Sequence, residues 1–297
     1  MSARAILLSI GMTIVLSSCG SNEKVRPNGD RSSEHQTATT IDTARDNAAP
    51  TQNLDEWMKP EFNLSYQPIE LSPLEQVEVK DSWKLTKTQS FGQINGETVT
   101  LSVYQEQDEA SICGAGYERI VLLDYREGHY KYMGCGNTSL ESDDPVREGT
   151  LILLDYRSAD KAASKIVHGA IDGGVNGPGL MTYYVYDPVQ NRWYGFDQWG
   201  LPSVNDLDGD GTEELVFQFQ GLHMNPPDVS IGRWNGPGLE ISATVTSLLE
   251  LPGQYRAAAT VEDHQIAFSI DSGEESSEPL STSYSYSPER LTRMDVR

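Results

Sequence analysis

The chain has 297 residues and carries 44 Asp and Glu against 22 Lys and Arg, a formal net charge of −22. A surface this acidic repels phosphate backbones and argues against nucleic-acid binding, while it suits cations, basic partners or plain solubility. Beyond residue 16 no apolar run nears the roughly 20 residues that a membrane-crossing helix needs.

The N-terminus opens Met1-Ser2-Ala3-Arg4 and continues as an apolar stretch from Ile6 to Leu16. That stretch is too short to span a bilayer, and with its charged start it reads as a signal peptide over residues 1–18. Its end, Leu16-Ser17-Ser18-Cys19-Gly20, resembles the bacterial lipobox. The resemblance implies that the Cys19 thiol takes a diacylglyceryl group and that cleavage leaves Cys19 as the new N-terminus. Two acyl chains anchor stably where one is marginal. The expected location is therefore the extracytoplasmic membrane surface of the cell envelope, with the membrane as a partner through lipid. Gly20, where an aspartate would signal retention, implies the outer membrane if the host is Gram-negative. Residues 19–53 are rich in Ser, Thr, Asn and Ala with almost no large apolar side chains. Such a segment cannot bury enough surface to offset its conformational entropy and is expected to be a disordered tether.

Residues 54–297 are expected to form the globular part. Trp57, Phe62 and Tyr66 interleaved with Pro60, Pro68 and Pro73 predict an extended lead-in that packs on the domain. Hairpins follow. Ser90–Ile94 and Thr98–Tyr104 flank Asn95-Gly96, the pair that favours a type I′ turn. Ile120–Leu123 and Tyr130–Met133 flank Arg126-Glu127-Gly128. Cys113 and Cys135 sit at the open end of that second hairpin; one even pair in an exported chain predicts a disulfide, two free thiols being the alternative. A short helix is expected over about residues 159–167. Tyr183–Tyr186 and Arg192–Phe196 form a further hairpin about Asp187-Pro188.

The most specific stretch is Asp206-Leu207-Asp208-Gly209-Asp210-Gly211-Thr212-Glu213-Glu214. Aspartates at alternate positions can point inward together and wrap a hard cation in oxygens. The Thr212 carbonyl would fill the seventh position and Glu214 the ninth, with Gly211 making the sharp turn. An EF-hand is excluded, because Phe217 stands at the twelfth position and a strand, not a helix, is predicted next. In that strand Leu215, Phe217 and Phe219 are expected to face a core. The stretch from Val204 to Val216 resembles the calcium loop of FG-GAP/VCBS-type repeats, found in integrin-α-like β-propellers. The resemblance implies Ca2+ on Asp206, Asp208, Asp210, Thr212 and Glu214. The alternative is an acidic surface turn that binds nothing.

Three more hairpins are predicted: Val229–Trp234 with Leu239–Ile241, Ala259–Val261 with Gln265–Ile270, and one over Tyr284–Val296 turning at Pro288-Glu289. Leu-Leu-Asp-Tyr-Arg occurs at 122–126 and 153–157, and Asn-Gly-Pro-Gly-Leu at 176–180 and 235–239, hints of stacked units. The fold class is therefore all-β and antiparallel, with β-propeller-like units or a β-sandwich, and roughly a dozen strands.

No zinc spacing is found among the five histidines, and neither a nucleophile elbow nor a P-loop occurs. Asp197 and Asp143 are unsupported candidates for a glycosidase pair. Trp193, Trp199 and Trp234 are candidates for stacking on sugar rings, the competing role being core packing. The sequence thus favours a non-catalytic binding or structural module that takes a protein or glycan ligand. A surface hydrolase of cell-wall or extracellular polymer is the alternative.

Overall fold

The computed structural model describes residues 58–107, 119–131, 151–158, 165–172, 179–222, 225–273 and 279–294. The chain divides into two units, residues 1–50 and 51–297, and every described residue lies in the second. Cys19, Trp57, Cys113, Cys135 and Asp143, with the expected signal peptide and tether, fall outside the described residues.

The lead-in forms four very short strands: β1 (Glu61–Asn63), β2 (Tyr66–Pro68), β3 (Ser72–Pro73) and β4 (Glu75–Val77). Four four-stranded meanders follow. The first is β5 (Trp83–Ile94), β6 (Glu97–Glu106), β7 (Arg119–Tyr125) and β8 (Gly128–Lys131). The second is β9 (Leu151–Arg157), β10 (Ile166–Asp172), β11 (Leu180–Asp187) and β12 (Arg192–Trp199). The third is β13 (Leu201–Asn205), β14 (Glu214–Phe219), β15 (Asp228–Asn235) and β16 (Gly238–Ser242). After one turn of helix, α1 (Val245–Leu248), the fourth is β17 (Arg256–Glu262), β18 (Gln265–Asp271), β19 (Leu280–Ser287) and β20 (Arg290–Arg293).

Each meander gains a fifth strand from the lead-in, which runs through them in reverse. β1 pairs with β20, β2 with β16, β3 with β12 and β4 with β8, always antiparallel and always beside the last strand of its sheet. A sheet edge is where proline is tolerated, because one side of the strand makes no ladder bonds. Pro68 and Pro73 both lie in such edge strands. Among the described residues the result is four antiparallel five-stranded sheets, with no closed barrel.

Apolar clusters join the sheets in sequence order. Phe91, Leu101 and Tyr125 of the first sheet meet Ile166, Tyr184 and Trp193 of the second. Tyr183, Val185 and Phe196 of the second meet Leu215, Phe217 and Leu239 of the third. Val216, Val229 and Ile231 of the third meet Ile266, Phe268 and Tyr284 of the fourth. Among the described residues no such cluster joins the fourth sheet to the first. The far face of the fourth sheet is polar, since Ser281, Ser283, Ser285 and Ser287 alternate with buried Thr282, Tyr284 and Tyr286. That alternation is what a sheet with one solvated face requires.

The predicted hairpins are present, and their turns carry the positive φ that two-residue hairpin turns demand: Asn95 at 52° with Gly96 at 82°, and Asp263 at 49° with His264 at 60°. Four expectations need correction. Ile166 and Val167 belong to β10, not to a helix, because both faces of that strand are covered by neighbouring sheets; residues 159–164 of the expected helix are outside the described residues. Among the described residues there are twenty strands, not a dozen, in four sheets rather than the two of a sandwich. β14 is buried on both faces, Val216 as fully as Leu215 and Phe217, while Phe219 is only half-buried. Leu-Leu-Asp-Tyr-Arg is not a structural repeat either: one copy ends the third strand of one sheet and the other lies in the first strand of the next; residues 176–178 of the other repeated word fall outside the described residues.

Candidate metal centre

The loop joining β13 to β14 leaves the third sheet at Asn205 and returns at Glu214, residues that face each other in the ladder. Leu207 is fully buried in the cluster between the third and fourth sheets. Its side chain pins the loop from beneath and leaves Asp206, Asp208 and Asp210 as the three carboxylates that share a site above it. One ligand oxygen of each lies within 4.8 Å of the others.

The backbone of the loop braces these carboxylates. The Gly209 N–H donates to Asp206 Oδ1 (2.8 Å) and the Gly211 N–H to Asp206 Oδ2 (3.1 Å). The Asp210 N–H donates to Asp208 Oδ1 (3.2 Å), and the Thr212 N–H to Asp210 Oδ1 (2.6 Å). Gly209 and Gly211 hold φ of +74° and +85°. A Cβ at Gly211 would meet nothing within 4 Å, so its requirement is the left-handed backbone and not space.

Glu214 stands apart from the triad. It is 5 % exposed, and its Oε2 accepts the Leu207 N–H at 3.0 Å. Burial, foremost, pushes its carboxyl up to about 7; the Leu207 N–H opposes this, and the charges of Asp208, Asp210 and Asp206 add to it. Burial also raises Asp208, with Asp210 and Asp206 contributing after the opposing Asp210 N–H. Carboxylates crowded this closely are the donor set of a hard cation.

His264, in the turn of the fourth sheet's first hairpin, also touches the loop. Its Nδ1–H donates to the Asp206 carbonyl at 2.8 Å and lies 3.8 Å from Asp206 Oδ2. Sequence reasoning missed it, because 58 residues separate the partners and nothing local marks the contact.

A cleft of about 240 Å³ adjoins the loop, lined by Asp210, Glu213 and Glu214 on one side and Arg233, Trp234 and Tyr286 on the other. Of the three tryptophans proposed to stack on sugars, only Trp234 reaches it. Trp234 is half-buried, with its ring stacked on Tyr156 at 5.8 Å and 23°. Trp193 is fully buried among Tyr125, Tyr186 and His168, so it presents no face to a ligand. Trp199 lies edge-on to Phe219.

Among the described residues the other polar constellations do not form a nucleophilic triad. Ser102 donates to Asp124 Oδ2, and Asp124 Oδ1 lies 2.6 Å from His129 Nδ1. The carboxylate stands between hydroxyl and imidazole, whereas a nucleophilic triad needs the imidazole in that place. Asp197 accepts from Thr182 Oγ1 at an exposed position. A larger cleft, of about 450 Å³, is lined by Gln220, Asn225, Gln254 and Arg256 among others, and none of its described lining residues is a carboxylate. Among the described residues the carboxyls raised above their ordinary range, Asp208 and Glu214, are both at the loop.

No protein-family model matches the chain, and no curated protein matches it.

Proposed function

We propose that the protein is a calcium-binding module of the cell envelope, anchored through lipid on Cys19, whose β-domain serves as a non-catalytic binding or structural unit. The observation that carries this reading is the Asp206–Asp208–Asp210 cluster, with oxygens within 4.8 Å of one another. Without a cation those charges repel, and the backbone N–H groups that brace them offset only part of that repulsion. Calcium accepts such an all-oxygen set with flexible geometry, whereas magnesium demands a near-ideal octahedron and keeps its waters. The blade-like succession of four meanders supports the likeness to propeller-type calcium repeats.

The test is thermal unfolding of residues 20–297 in millimolar calcium, in magnesium and in chelator. Sites of extracellular modules bind at about 10⁻⁴–10⁻³ M, so calcium at a hundredfold excess over the dissociation constant adds about 2.7 kcal/mol. Calcium alone is expected to raise the midpoint, and Asp208→Ala to abolish the rise while leaving the metal-free fold intact. A midpoint indifferent to calcium would refute the assignment.

A further inference from the structure

We propose that His264 is a positioning residue of the metal loop, fastening it to the fourth sheet so that ion binding is felt at the seam between the third and fourth sheets. The inference rests on the calcium reading above and adds to it a residue outside the loop. A two-residue hairpin turn with both central φ positive favours Asn-Gly, since glycine bears the second position without strain. This turn has Asp263 and His264 instead, at 49° and 60°. Histidine enters the left-handed region more readily than most residues but at more cost than glycine, and its contacts show what it does there. Nδ1 lies 2.8 Å from the Asp206 carbonyl, an acceptor, so this nitrogen carries the hydrogen. The ring also lies against Gly209 at the loop tip: a Cβ built there would stand 3.6 Å from it.

Asp206 is the right place to hold. Its two carboxylate oxygens take the N–H groups of Gly209 and Gly211, so fixing its main chain fixes the frame on which the rest of the loop closes. Leu207, the next residue, is fully buried against the fourth sheet's core. The loop therefore touches the fourth sheet twice, once through an apolar side chain below and once through His264 above. Metal affinity depends on groups that orient the ligands as well as on the ligands themselves, and losing such a group weakens binding about 10- to 100-fold.

The test is calorimetric calcium titration of residues 20–297 in the wild type, His264→Gly and His264→Asn, with metal-free thermal unfolding of each. Glycine relieves the turn and removes the donor; asparagine tolerates the positive φ and offers an amide N–H in place of Nδ1. The expected result is calcium affinity at least about tenfold weaker in His264→Gly, with no fall in the metal-free midpoint, and recovery in His264→Asn. Wild-type affinity in His264→Gly, or equal weakening in both variants, overturns the proposal while leaving the calcium site standing. No calcium heat in the wild type overturns both.

Discussion

At the residue scale, Glu214 sets how the loop from Asp206 to Glu214 responds to pH. Its carboxyl is raised to about 7 in the metal-free fold, against about 4.5 when unfolded. Between those values the folded state binds the extra proton, so this group makes metal-free stability fall as pH rises from about 4.5 through about 7. The full swing is at most about 3 kcal/mol. On the calcium reading proposed above, binding expels that proton, so affinity is expected to be about tenfold weaker at pH 6 than at pH 8. Glu214→Gln keeps an acceptor for the Leu207 N–H and has no proton to lose. It should flatten the pH dependence of both affinity and metal-free stability and should stabilise the metal-free protein at pH 8. Calcium titrations at the two pH values check the first claim, and urea midpoints in chelator check the second. The same residue shows how much a sequence motif conveys. Alternating aspartates and two glycines are local facts, and the loop geometry follows from them. That Glu214 is buried and turned toward Leu207 depends on the packing of the whole seam around the loop, which no local pattern encodes.

At the level of strands, the bulge in β10 joins chemistry to packing. Its pairing with both neighbours shifts register between Val167 and Gly169: against β11 His168 is the extra residue, while against β9 the two residues Leu154 and Asp155 are passed over opposite it. A bulge re-aims a side chain. Here it sends the imidazole into the seam with the first sheet, where Nε2 meets the Phe91 carbonyl and the ring packs edge-on to Phe91 and Trp193. Burial, the largest influence, lowers its pKa; the Phe91 carbonyl and Asp155 oppose this, and Arg157 adds to it. A histidine lowered in the fold loses its stabilising neutral form as pH falls through the unfolded value of about 6.5. With calcium saturating the loop, the urea midpoint should drop between pH 8 and pH 5, and His168→Gln should remove most of that drop. Gly169 supplies the space beside the bulge. A Cβ there would collide with the Ile152 carbonyl and stand 2.7 Å from the Phe91 ring. Gly169→Ala should therefore cost about 2–3 kcal/mol by denaturant unfolding. Hairpins were legible from sequence wherever the turn was local and favourable, as at Asn95-Gly96. β10 was not, because a strand covered on both faces loses the alternation that identifies strands and reads as an apolar run of either kind.

At the scale of the whole molecule, residues 61–77 are the part whose role the sequence concealed most. Prolines and isolated aromatics announce an extended segment, but strands of two or three residues leave no periodic trace, and each partner lies far away in sequence. Glu61 pairs with Thr292, and Gln67 with Ile241. The lead-in therefore cannot dock along its whole length until the last hairpin exists, and contacts of such separation are the slow ones to form. It crosses from the fourth sheet to the first and covers the outer edges of β20, β16, β12 and β8 in turn. Its few buried side chains, Phe62, Leu64 and Leu74, anchor it in the cores. At the seam beside the metal loop it adds polar stitching: the Tyr66 and Tyr286 hydroxyls lie 3.2 Å apart, and Arg233 stacks on the Tyr66 ring at 3.9 Å while donating to the Pro288 carbonyl. Removing residues 58–77 would expose four unpaired strand edges at once, each a template for pairing with another chain. The shortened protein is expected to keep antiparallel β circular dichroism but to self-associate in analytical ultracentrifugation. A synthetic peptide of residues 58–80 added in trans should restore the monomer by reoccupying those edges. A shortened protein that stays monomeric without the peptide would mean the four meanders protect their own edges and the lead-in is ornament on a finished fold.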